Sequence, residues 1–156
     1  MLDITSLQSN WNTISSFPGG KALFSRALGL MAPYTATIGP RVLEMRPGRA
    51  RVLMNDRRQV RNHLRSIHAV ALVNLAELTG NLALIAALPQ DSRMIVTGLS
   101  IEYLKKARGP ITAEADAPSI ETAERKEYEM TVRLNDKAGE LVARAQLKCL
   151  VGPRAH

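Results

Sequence analysis

The sequence predicts an α+β domain in which an antiparallel β-sheet wraps over one long central helix. Three observations lead there. Residues 62–89 read NHLRSIHAVALVNLAELTGNLALIAALP, a basic opening followed by about twenty nearly unbroken Ala, Leu, Val and Ile residues before a proline. Two strand-like segments precede this stretch and four follow it. Nowhere do strands alternate with crossover helices, which argues against a parallel sheet and leaves the order β-β-α-β-β-β-β.

Taken in order, residues 2–14 have helical spacing at Leu2, Leu7, Trp11 and Ile14, and Phe17-Pro18-Gly19-Gly20 breaks the pattern. Residues 21–31 carry Leu23, Ala27 and Leu30, and Phe24, Leu28 and Met31, at the i, i+4, i+7 positions of a second short helix that stops before Pro33. Residues 1–35 are therefore read as a helical segment packed outside the main body, and residues 36–156 as the sheet-and-helix domain. Residues 38–45 and 49–54 flank Arg46-Pro47-Gly48, a turn suited to an antiparallel hairpin.

After the long helix, residues 93–106 alternate in two stretches around Gly98 and run into the basic pair Lys105-Lys106 and the turn Arg108-Gly109-Pro110. Residues 111–117 alternate strictly, with Ile111, Ala113, Ala115 and Ala117 opposed to Thr112, Glu114 and Asp116. Residues 124–134 set Tyr128, Met130, Val132 and Leu134 on one face, and residues 140–151 close the domain after a turn at residues 135–139. These last four strands are expected to follow one another as hairpins.

The long helix is apolar enough to be buried on most sides, and it is too short and too interrupted to span a membrane. Its anomaly is a carboxylate. At about 100° per residue, Asn74, Glu77 and Asn81 fall within about 60° of one another, beside Val70, Leu78 and Ile85. Such a stripe is either the helix's wet edge, a hydrogen-bonded seam against another subunit, or a site, because an unused buried Glu is costly.

Composition narrows the classes. The chain has 156 residues, 46% hydrophobic and 22% charged, which fits one globular domain with a substantial core. The N-terminus has neither a basic n-region nor an apolar h-region, and the lone Cys149 rules out an intrachain disulfide framework; both suit a cytoplasmic protein. Cys149 alternates with apolar neighbours and reads as a small core residue. A net charge of +7 points to an acidic partner: nucleic acid, an anionic membrane surface or a phosphate-bearing small molecule. Aromatic content of 4% and the absence of a helix-turn-helix, zinc-finger or stacking pattern argue against nucleic acid. No spacing of His, Cys or acids suggests a metal site, no Gly-rich phosphate loop is present, and Ser66 lacks the neighbours of a Ser-His-Asp triad.

Particular residues carry a resemblance. Acyl-CoA thioesterases of the PaaI-like branch, which have the hotdog fold, carry an Asn, six residues later a His-Gly-Gly that opens the helix, and an acid nine residues after that His. Here Asn62, His68-Ala69-Val70 and Glu77 stand at those spacings. The wording HAVALVNLAE, followed by YLKKARGPITAEA, resembles still more the hotdog group called DUF4442, over about residues 36–151. Ala69 and Val70 replace the two glycines, whose bare backbone lets a thioester carbonyl approach.

The resemblance implies thioester hydrolysis with no cofactor, coenzyme A entering as part of the substrate. Glu77 would act as base or nucleophile, Asn62 would orient water or substrate, and the first-turn amides of Ala69 and Val70 would hold the oxyanion. His68 would fix the Asn62 loop, a role His63 could also fill, and Asn74 would steady Glu77 or make a structural interface bond. Arg57, Arg58, Arg61, Lys105, Lys106 and Arg108 are either solvated surface or a rim for the phosphates. Because hotdog sites typically lie between subunits, a homodimer or homotetramer is expected, with Glu77 of one chain meeting the helix start of another. The alternative is a hotdog module that binds acyl-CoA or another apolar ligand without turning it over; a dehydratase lacks its usual His-acid pairing here.

Overall fold

The computed structural model describes residues 6–154, so Leu2 of the first predicted helix lies outside the described residues. The elements are α1 (Leu7–Ile14), α2 (Gly20–Met31), α3 (Pro33–Ala36), β1 (Pro40–Arg46), β2 (Arg49–Met54), α4 (Ala69–Ile85), β3 (Ser92–Tyr103), β4 (Ile111–Asp116), β5 (Lys126–Asn135) and β6 (Leu141–Pro153). The β-β-α-β-β-β-β order stands, as does the hairpin turn, where Gly48 takes the left-handed φ of 77° that a side chain resists.

All strand pairs are antiparallel and run in the order β1-β2-β4-β5-β6-β3. This corrects one expectation: β3 does not form a hairpin with β4 but lies at the far edge, paired along its length with β6. Arg108-Gly109-Pro110 is therefore not a hairpin apex. The chain leaving β3 donates from the Leu104 and Lys105 N–H groups to the Val142 carbonyl, then crosses the start of α4, where the Ala107 carbonyl accepts from the Ile67 N–H. The break in alternation at Gly98 is a bulge, where the β3–β6 register shifts between Val96 and Gly98.

Small residues let the helix sit close to the sheet. Ala50, Ala115, Val132 and Ala145 pair in a row across β2, β4, β5 and β6, all fully buried. Ala76, Ala83 and Gly80 of α4 are buried against the concave face. A Cβ on Gly80 would stand 2.5 Å from Leu147 Cδ2, so glycine here is a packing requirement. The inner side chains of β3, Met94, Val96, Leu99 and Ile101, are only half-buried, since α4 packs mainly on β2, β4 and β5.

The N-terminal helices pack on β1. Ser25 Oγ of α2 accepts from the Val42 N–H at 2.9 Å and donates to the Lys21 carbonyl. Leu7, Trp11, Phe24 and Leu28 join the same apolar core as β1 and α4, and Trp11 meets Phe24 edge-on. No helix among the described residues is long and apolar enough to cross a membrane.

Candidate active site

The start of α4 is built by the loop before it. Asn62 Oδ1 accepts from the Leu64 and Ser66 N–H groups at 2.9 and 3.1 Å, while the Asn62 N–H donates to the Ser66 carbonyl. This tight turn forces Arg65 into the left-handed region at φ 56°. With its oxygen committed to the turn, Asn62 keeps its Nδ2 donor without a partner among the described residues. The side chain organises its own loop and still has a hydrogen-bond donor to offer.

His68 is the N-cap of α4. Its backbone is extended, its N–H donates to the Val60 carbonyl at 2.7 Å, and its Nδ1 accepts from the Val70 N–H at 3.1 Å. His63, the other residue offered for fixing the Asn62 loop, is exposed and makes no such bond among the described residues. The His68 cap has a chemical consequence for the expected oxyanion amides. The Val70 N–H is occupied by His68, and the Ala71 N–H donates to the His68 carbonyl at 3.0 Å. Ala69 alone in the first turn keeps an N–H without a partner among the described residues. Its carbonyl accepts from the Tyr103 hydroxyl at 3.1 Å; burial pushes the Tyr103 phenol up, which keeps that donor protonated.

Two loops meet around this helix start. Asp56 joins them, accepting from Arg61 Nε on one oxygen and from the Gly109 N–H at 2.8 Å on the other. Burial raises the Asp56 carboxyl, and the hydrogen bonds from Arg61 and Gly109 outweigh it, so the group lies below its ordinary value. Two of the other predicted cations are likewise held inside the protomer. Arg57 Nη2 donates to the Thr37 carbonyl, and Lys105 pairs with Glu140. Arg58, Lys106 and Arg108 have no side-chain partner among the described residues.

A cavity lies on each side of the helix start. One, of about 360 Å³, is lined by Asn62, Ser66, Ala69, Tyr103, Lys105 and Lys106 among others. The other, of about 180 Å³, lies between Tyr34 of the N-terminal segment and Arg61, His68, Val70 and Asn74. The predicted set is therefore divided: Asn62 and Ala69 face one cavity, His68 and Val70 the other. A further apolar cavity of about 460 Å³, between Arg93, Ile95, Arg125 and Leu150, holds none of the predicted residues.

Glu77 lines neither of the two cavities at the helix start. It is exposed, on a line of α4 with exposed Val70 and half-buried Val73 and Asn81. The expected polar stripe thus splits. Asn74, buried at 6% exposure, turns to the N-terminal segment and donates from Nδ2 to the Tyr34 carbonyl at 3.2 Å, not to Glu77. The helical wheel could not show this, because it does not know what covers each side. Among the described residues no group of His, Cys, Asp and Glu could hold a metal ion.

Sequence reasoning missed Tyr103, Tyr34 and Asp56, whose parts depend on contacts far along the chain, and it considered Ser66 only as a nucleophile. Ser66 is 4% exposed, and its Oγ, beside the larger cavity, has no partner among the described residues.

The model of the family described as Domain of unknown function (DUF4442) matches residues 20–151. The chain belongs to the DUF4442 family. One solved structure, from structural genomics, is 32% identical and superposes with a TM-score of 0.81 over 96% of this chain and 98% of its own. A Pseudomonas aeruginosa protein of unknown function, named a probable thioesterase, is 24% identical over 88% of this chain and 97% of its own, with a TM-score of 0.76. A Haemophilus influenzae thioesterase is 15% identical over 84% and 92%, with a TM-score of 0.71. No curated protein matches the sequence. With these neighbours the sheet-and-helix architecture is the hotdog fold that the DUF4442 resemblance implied. The family match begins within the N-terminal helices, at the first residue of α2.

Proposed function

We propose that this DUF4442 protein is a thioester hydrolase acting on an acyl-CoA, with its site shared between two copies of the chain. The observation that carries the reading is the separation of two incomplete halves on one helix. The start of α4 offers the Ala69 N–H and Asn62 Nδ2 beside a cavity bordered by Lys106, while Glu77 stands exposed eight residues further on. At ~1.5 Å per residue that is about 12 Å along the axis, too far for both to act on one carbonyl. A second copy brings them together if Glu77 of one chain faces the helix start of the other. The outer edge of β3, a twelve-residue strand at the end of the sheet, is the natural place for that contact, since an exposed strand edge favours pairing.

In this reading the thioester carbonyl oxygen takes the Ala69 N–H, and Asn62 positions water or substrate. Glu77 either removes a proton from water as it attacks the carbonyl carbon or attacks that carbon itself. In the first case the tetrahedral intermediate collapses with cleavage of the C–S bond. In the second the C–S bond breaks as the acyl group passes to Glu77 as a mixed anhydride, which water then hydrolyses to the acid and free Glu77. In both the thiolate leaves and takes up a proton that derives from the water. Lys106, Arg58 and Arg108, the predicted loop cations without a side-chain partner among the described residues, are assigned to the phosphates of coenzyme A. The buried thiol of Cys149 and the coenzyme A substrate together favour a cytoplasmic location.

One observation favours the second reading, a module that binds the acyl-CoA without hydrolysis. The Val70 N–H is already bonded to His68, and its β-branched side chain stands where the thioesterases have glycine. Thiol release from acyl-CoAs of short, long and aryl type, measured for wild type and Glu77→Gln, separates the two. Hydrolysis predicts activity on some chain length that drops at least a hundredfold in Glu77→Gln, about 2.7 kcal/mol of transition-state stabilisation. Acyl-CoA binding without any thiol release from folded wild type establishes the second reading.

A further inference from the structure

We propose that the N-terminal helices form a docking face for an anionic lipid bilayer. The proposal stands apart from the hydrolase reading and uses none of its residues. Its basis is a second apolar face on α2. Phe24 and Leu28 are buried against the domain, whereas Leu23 and Leu30, 61% and 84% exposed, point the other way. Phe17 and Tyr34, flanking α2 in the chain, are 64% and 67% exposed, and Met31 is exposed as well. Half of the large apolar side chains exposed among the described residues thus fall between residues 17 and 34. Isolated exposed apolar residues are ordinary, but a cluster on one segment marks an interaction surface.

Charge identifies the occupant. No Asp or Glu occurs between Asp3 and Glu44, while Lys21, Arg26 and Arg41 lie in that span. Arg26 lies within about 60° of Leu23 and Leu30 on the helical wheel. Arg26 and Arg41 are exposed and have no side-chain partner among the described residues. A second copy of the chain docking through this face would bring like charges together with no carboxylate from the segment to offset them. A peptide needs a groove, and the two cavities at the helix start and the apolar cavity at Arg93 are not lined by Phe17, Leu23 or Leu30. Apolar side chains on a short surface helix with the unpaired Arg26 beside them, and Arg41 near the start of β1, match an interfacial membrane contact, the former entering the acyl boundary and the latter meeting anionic headgroups.

Co-sedimentation of the full chain with vesicles tests this, using phosphatidylcholine alone and with about 30% phosphatidylglycerol. Wild type is expected to bind the anionic vesicles at least about tenfold more tightly than the neutral ones. Leu23→Glu with Leu30→Glu is expected to lose at least about tenfold of that binding. Both positions are exposed, so the variant should fold, which a thermal melt checks. Arg93→Gln with Arg125→Gln removes the same net charge from another part of the surface and is expected to keep binding within about threefold. Wild type left in the supernatant overturns the proposal. So does equal loss in the Arg93/Arg125 control, which would make the binding generic to a basic protein. If wild type ignores vesicles and the Leu23/Leu30 variant falls to a smaller oligomer in light scattering, the face belongs to a second copy and the lipid assignment is wrong.

Discussion

Replacing Gly80 with alanine sets two known effects against each other at one atom. Alanine in a helix interior is favoured over glycine by about 1 kcal/mol, because glycine gives up more backbone freedom. Here the new Cβ would stand 2.5 Å from Leu147 Cδ2 and 3.4 Å from both Met130 Sδ and Val132 Cγ2. Leu147 is fully buried, so its methyl group cannot swing into solvent, and overpacking of this kind costs about 1–3 kcal/mol. Gly80→Ala is therefore expected to destabilise by about 1 kcal/mol net, roughly fivefold in the folding equilibrium. Leu147→Val removes the offending carbon and should itself cost about 1 kcal/mol. In that background Gly80→Ala should become stabilising by about 1 kcal/mol, a coupling of about 2 kcal/mol across the pair. Urea unfolding of the four proteins, compared by midpoint at constant slope, gives the cycle. Stabilisation of the wild-type background by Gly80→Ala, or additivity of the two substitutions, would show that α4 does not press on β6 at this point.

Three further predictions follow from single positions. Arg65→Gly should stabilise by about 1 kcal/mol, since the turn closed by Asn62 holds this residue at a φ of 56° that glycine adopts freely; a rise in Tm checks it, and a fall refutes the strain. The hydrogen bond from Arg133 to Asp116, opposed by burial and helped by Arg49, holds that carboxyl below the ordinary aspartate value. Its contribution to stability is thus present above the unfolded value and lost as pH falls through the lower folded one. Asp116→Asn should narrow the stability gap between pH 6 and pH 2, measured by urea midpoints. Burial first, with Glu77 and Glu127 adding to it, pushes the Cys149 thiol up to about 11, so a disulfide reagent near pH 8 should label it only after denaturant is added.

The hotdog architecture was largely written in local pattern. Alternation at residues 111–117 and 124–134, the apolar run of α4 and the turn at Arg46-Pro47-Gly48 reflect which side of each element meets water, and a single sequence records that directly. The spacing of Asn62, His68 and Glu77 was likewise readable, because the loop and helix carrying them are contiguous in the chain. Strand order was not. Alternation says that β3 has a buried face but not which neighbour it pairs with, and the choice of β6 over β4 depends on where the chain passes across the start of α4.

Surroundings decided the rest. Asn74 and Glu77 share a helical stripe, yet the Tyr34 carbonyl, forty residues earlier, claims one while the other stays exposed. Val70 and Ala69 are adjacent first-turn residues, yet the ring orientation of His68 occupies one amide and leaves the next free. Of six predicted cations, Arg57 and Lys105 are bound by groups on other segments and Arg61 by Asp56 of its own loop. Periodicity is a property of the element that bears it, so the sequence by itself determined the helix, the strands and the faces they bury. Partnership is a property of two segments brought together by folding, so only the tertiary structure decided which donors, carboxylates and apolar faces remain unspent for a ligand.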